Sequence, residues 1–124
     1  MENQPPSSSL GTLAEKVSEA LAVGGTHSPE DVMQAIERGD MQCWPGESSV
    51  IVTTVSITPL HKTCKVFLVA GDLEEAWRIH DEQIVPWAKD QGCTRMLGEG
   101  RMGWVKSARE HGYGRPLIQM WKDL

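Results

Sequence analysis

"CKVFLVAGDLEEAWRIHDEQIVPWAKDQGCTRML", residues 64–97, changes its hydrophobic period twice. It opens with the apolar run CKVFLVA, the composition of a central strand covered on both faces. Leu73, Trp77, His80, Ile84 and Ala88 then recur at a spacing of three to four, which predicts a helix with one buried stripe. Pro86 lacks the amide that would bond to the carbonyl of Glu82, so a kink or restart is expected there. Gly92 ends the helix, and "CTRML" reads as a second strand. When both strands of such a unit lie in one sheet, the crossover is right-handed and the strands run parallel.

Upstream, "SSVIVTTVSI" is dense in β-branched residues and predicts a strand, and "MQCW" predicts a shorter one across the "PGES" turn. With residues 64–70 they form an antiparallel meander of three strands. Before the meander, Ser28 caps a helix with Pro29 at its first position and Glu30 and Asp31 in its first turn. Val32, Ala35 and Ile36 are its buried face, and Gly39 its end. Leu13, Val17 and Leu21 mark an earlier helix. Residues 1–9, "MENQPPSSS", have no core pattern and read as a flexible arm. Downstream, "RMGWVKSAREHG" predicts a short helix and "RPLIQMWKDL" a closing strand. Residues 10–124 thus predict a single α/β (α+β) domain with a mixed sheet flanked by helices.

Composition narrows the function classes. A net charge of −5 argues against general nucleic-acid binding. The balance is uneven: residues 1–92 carry 6 basic and 14 acidic side chains, residues 93–124 carry 6 and 3. That leaves a modest basic face near the C-terminus, beside the simpler reading of a mixed solvated surface. The apolar runs are too short to span a bilayer, and the N-terminus lacks the order of a signal peptide, which points to the cytoplasm. Cys43, Cys64 and Cys93 have no Cys-x-x-Cys spacing and read as buried free thiols. His61-x-x-Cys64 is the one close pair among His61, Cys64, His80 and Cys93, so no metal site is expected.

The order of elements resembles the GNAT N-acetyltransferase fold over roughly residues 12–124. "WVKSAREHGYGRP" is similar to the GNAT helix that ends in a Gly-aromatic turn, here Gly112-Tyr113. "CWPG", "FLVAGDLEEAW", "PWAKDQGC" and "GEGRMGWVKSAREHGY" resemble segments of small GNAT-like proteins encoded by tailed bacteriophages. The resemblance implies a place for acetyl-CoA: its pyrophosphate would meet backbone amides where the central strand gives way to a helix, in an Arg/Gln-x-x-Gly-x-Gly/Ala pattern. The matching "LVAGDLEEAW" keeps only Gly71. Asp72, Glu74 and Glu75 follow it, and each carboxylate would repel a phosphate by about 1–4 kcal/mol at 4–6 Å. Many GNAT enzymes place an acid tyrosine four residues before the glycine of the turn; here that position is Ala108. Tyr113 itself is expected to pack with its hydroxyl at the surface.

The glycines of "GEGRMG" are read as permitting close packing and a positive-φ corner, with an anion at Gly98, Gly100 and Arg101 as the alternative. No catalytic residue is assigned. His80, on an apolar stripe, is expected to be a hydrogen-bonded core histidine. Trp44, Trp77, Trp87, Trp104 and Trp121 fit core packing, with one or two free to anchor a partner. Trp104 beside Lys106, Arg109 and Arg115 is the candidate partner surface, for another protein or for self-association. The expectation is a virion or assembly protein that needs no cofactor, in the host cytoplasm or the virion. The alternative is an acetyl-CoA-dependent N-acetyltransferase with a divergent coenzyme loop.

Overall fold

A computed structural model describes residues 15, 17–22, 25–100 and 103–124. The arm at 1–9, Leu13 and Arg101 lie outside them. A helical turn, α1, covers residues 17–22. Helix α2 (Pro29–Arg38) follows, then strands β1 (Met41–Pro45), β2 (Ser49–Ile57) and β3 (Lys62–Gly71). Next comes one long helical element in three parts: α3 (Leu73–Ile79), a π-helical turn (His80–Ile84) and α4 (Val85–Asp90). Strand β4 (Arg95–Gly98) and helix α5 (Trp104–Glu110) complete the order.

Local chemistry sets the boundaries of α2. Ser28 Oγ accepts from the Asp31 amide while Asp31 returns a bond to the Ser28 amide, a reciprocal capping box. Gly39 turns the chain out of the helix at φ 84. The expected break before Pro86 is present, as the π turn that precedes it.

The sheet order is β1-β2-β3-β4, with the first three strands antiparallel and β4 parallel to β3. That is the meander and the crossover unit expected from residues 64–97. One sheet face buries Val52 and Leu68 under Leu21 of α1 and Val32 of α2. The other buries Ile51, Cys64 and Val66 under Ala76, Ile79, Ile84 and Ala88.

A slip in register shapes the sheet's far end. Val52 pairs with Leu68 but Thr53 pairs with Val66, so Phe67 has no residue opposite it on β2. Such a bulge bends its strand and increases the local twist. The β3–β4 pairing ends at Val66–Gly98, next to the bulge, while β3 continues to Gly71. β3 therefore runs on past the end of β4, and among the described residues no strand lies beside its last residues on that side.

Three expectations are corrected. Residues 115–124 are not a strand: they make no ladder, and Leu117, Ile118, Met120, Trp121 and Leu124 are exposed. A strand sequence needs an edge to pair with, and this segment runs clear of its own sheet. Cys43 is exposed on β1, whereas Cys64 is buried and Cys93 half-buried; all three are free. Among the glycines of the β4–α5 turn, Gly98, Gly100 and Gly103 do not take positive φ; close approach explains the first two, with Tyr113 packed over Gly98 and Trp104 over Gly100.

Candidate functional site: the end of β3 and the Tyr113–His80 cluster

At the end of β3, Gly71 adopts φ +100, and a side chain there would run into the Ser48 carbonyl and the Ser49 backbone. The β1–β2 turn occupies the space that Gly71 leaves open, and the Asp72 amide donates to Ser48 O at 2.9 Å. Asp72 caps α3, its Oδ1 accepting from the Glu74 amide at 3.0 Å. Glu75 turns back to the same β1–β2 turn. Its carboxylate accepts from the Glu47 amide at 3.1 Å, the Ser48 amide at 2.9 Å and the Ser49 hydroxyl. Burial pushes the Glu75 carboxyl up, but these donors together with Arg78 outweigh it and hold it below its ordinary value. The first turn of α3 is thus filled and charged by the chain's own groups.

A second constellation lies where α5 returns over the long helix. Tyr113 Oη and His80 Nε2 are 2.8 Å apart, His80 Nδ1 and Asp81 Oδ1 2.8 Å, and Asp81 Oδ2 and His111 Nδ1 2.8 Å. An ionised carboxylate only accepts, so both imidazoles present Nδ1–H to Asp81. Neutral His80 then has a lone pair at Nε2 for the Tyr113 hydroxyl. Burial raises the Asp81 carboxyl, but hydrogen bonds from His80 and His111 more than offset it, and it stays below its usual range. Burial, then Cys64 and Asp81, push the Tyr113 phenol up to about 12, so it stays protonated and donates. Trp77 closes the group: it stacks on His111 with rings 4.0 Å apart and parallel within 1°, and its Nε1–H donates to Ser107 Oγ.

The structure brings His80 to the hydrogen-bonded core position expected of it. It moves the Tyr113 hydroxyl from the expected surface to a buried histidine, because α5 folds the Gly112 turn back onto the π segment. This chain of Tyr113, His80, Asp81 and His111 had no signature in the sequence, since Tyr113 lies 33 residues from His80. Trp104 is half-buried, its ring 6.4 Å from that of Trp77, while Lys106, Arg109 and Arg115 are exposed. Gly71 packs against the β1–β2 turn, whereas Gly98 and Gly100 pack against Tyr113 and Trp104. Among the described residues, no group of three or more side chains is arranged to hold a metal ion, and no helix is long and apolar enough to cross a membrane.

No protein-family model matches the chain, and no curated protein matches it. Solved structures do. The tetramutant of the BH1408 protein from Bacillus halodurans superposes with a TM-score of 0.65 at 16% identity, over 94% of this chain and 93% of that one. An acetyltransferase from Trypanosoma brucei gives 0.60 at 11% identity, over 90% and 94%. Glucosamine-6-phosphate N-acetyltransferase from Arabidopsis thaliana gives 0.55 at 14%, over 89% and 91%. At these identities the likeness is one of fold: a GNAT-like, mixed four-stranded sheet flanked by helices.

Proposed function

We propose that this GNAT-fold chain is a binding and assembly protein that works without coenzyme A. The observation behind this reading is the filled end of β3. The β1–β2 turn packs onto Gly71, and Asp72, Glu74 and Glu75 crowd the first turn of α3 with negative charge. A pyrophosphate arriving there would meet carboxylates in place of open amides. The contacts of such a protein would come from its surface, where α5 presents Lys106 and Arg109 outward with Arg115 nearby. The sequence resemblance to phage-encoded proteins makes the virion, or its assembly in the host cytoplasm, the setting of this proposal. Calorimetric titration with acetyl-CoA tests it: no binding is expected at cellular concentrations, and a micromolar dissociation constant would overturn it.

One observation favours a second reading, an acetyl-CoA-dependent N-acetyltransferase. Tyr113 is a protonated phenol hydrogen-bonded to a buried histidine, with its ring against Gly98 where β4 leaves β3. A phenol so placed is a candidate to protonate a leaving thiolate, with His80 and Asp81 positioning it. That reading requires both coenzyme binding and loss of turnover in Tyr113→Phe.

A further inference from the structure

We propose that α5 and the turn after it, residues 104–113, form a strap that opens from the domain as one unit while the sheet and both cores stay folded, with Asp81 as the buckle that holds it shut. The inference goes beyond the proposed function and is the same under either reading of it.

The strap has little share in the core. No residue of α5 is buried, and among the described residues neither core cluster includes one of them. Residues 114–124, which follow, are all exposed, so the strap is not pinned from its far end. What holds it is a set of ties to three side chains of the long helix. Trp77 Nε1–H donates to Ser107 Oγ, and the Trp77 ring carries His111 on its face and meets Trp104 at an edge. His80 Nε2 accepts from the Tyr113 hydroxyl, and Asp81 Oδ2 accepts from His111 Nδ1–H.

Asp81 joins these ties into one. Its other oxygen, Oδ1, accepts from His80 Nδ1–H, which sets the His80 ring with Nε2 toward Tyr113. A single carboxylate thus holds His111 directly and Tyr113 through His80. Members of such a network support one another, so they are lost together. They also exchange readily for water. Asp81 is 48% exposed and His111 25%, so water reaches both ends of their bond as it breaks, and the net loss in that exchange is small. A core side chain has no such substitute. Few buried apolar contacts and water-accessible ties are the marks of a unit that opens below global unfolding. Seven residues are too few to stay helical alone in water, so α5 melts as it lifts. Opening uncovers the Trp77 indole and the His80 imidazole, and it releases Trp104, Lys106 and Arg109 from a fixed arrangement.

Native-state hydrogen exchange on the full chain, read by NMR at low denaturant, tests this. The amides of His111, Gly112 and Tyr113 bond to the Ala108 and Arg109 carbonyls and report on the strap. They should open together, at least about tenfold more often than the amides of 51–53 and 64–68, and with a much weaker dependence on denaturant. Exchange at the strand rate with the strand's denaturant dependence would make the domain one cooperative unit and overturn the proposal. Protection that falls off residue by residue toward Tyr113 is fraying, and overturns it too. Asp81→Asn turns one accepting oxygen into a donor, so one imidazole loses its acceptor. Exchange of the strap amides should quicken about tenfold, and that of the strands by the same factor, because the tie is lost in both openings. Val52→Ala should quicken the strands alone, since its core is intact in the open form. Strap exchange that ignores Asp81→Asn, or that follows Val52→Ala, refutes the inference. Tyr113→Phe, which deletes only a hydroxyl, replaces Asp81→Asn if that variant does not fold, with the same direction expected and the same result fatal.

Discussion

Glu75 stands at the junction of three elements, and its chemistry is more structural than its sequence position suggests. A glutamate in the first turn of a helix is read as a surface partner for the helix dipole. Here the β1–β2 turn folds over it, so it is buried and holds two amides and a hydroxyl. Glu75→Gln keeps the shape but replaces one accepting oxygen with a donor, leaving at least one buried donor unsatisfied. A loss of about 1–3 kcal/mol in chemical denaturation at neutral pH is expected. The pH dependence has a definite sign. The folded-state pKa of Glu75 lies below its ordinary value of 4.5, so its stabilisation is complete above that pH and is lost as pH falls through the folded value. Asp81, also depressed, acts in the same direction. The gap in stability between parent and Glu75→Gln should therefore narrow below pH 4.5, and a gap that widens in acid would refute this role. None of this was legible beforehand: sequence spacing shows which residues share a helix face, not which turn will arrive over them from 26 residues away.

The elements were more legible than the side-chain contacts. Ser28-Pro29, the glycine stops at 39 and 92, and the β-branched run at 49–57 all act through local backbone chemistry, which a sequence carries openly. The closing segment shows the limit. Its pattern is that of a strand, but whether an edge takes it up is a tertiary fact, and here it makes no ladder. The π turn is intermediate between these cases. Ala76, His80, Ile84 and Ala88 are all buried at an unbroken spacing of four. In a regular α-helix that spacing drifts by about 40° per step, or about 120° over three steps, enough to carry Ala88 off the sheet. The wider turn at His80–Ile84, closed by i→i+5 bonds, absorbs part of that drift. Removing one residue from 81–83 should leave a regular α-helix in which Ala76 and Ala88, then about 11 residues apart, stay within about 20° of one face. Cooperative thermal unfolding is therefore expected to survive the deletion, and loss of the melting transition would show that the wide turn does not serve to keep this register.

At the scale of the whole molecule, the order of strands in the sheet is their order in the chain. Each antiparallel neighbour is reached through a short connection; Ile57 and Lys62, at the β2–β3 turn, are only five residues apart. The parallel pair is different, since Thr63 meets Arg95 across 32 residues. Closing the longer loop costs about 1.6 kcal/mol more in chain entropy, before the helix between them contributes anything. The mixed sheet thus contains a sequence in time. β1–β3 can assemble by zipping outward from their turns, whereas β4 must wait for the long helix to form and dock. Stopped-flow kinetics should reveal the division: Val52→Ala slows refolding, and Met96→Ala mainly hastens unfolding. If Met96→Ala slows refolding in full proportion to its loss of stability, β4 joins early and this order is wrong. Late docking of β4 would keep its outer edge out of reach until the rest of the domain is built, so a nascent chain would present no pairing edge there while it is still incomplete.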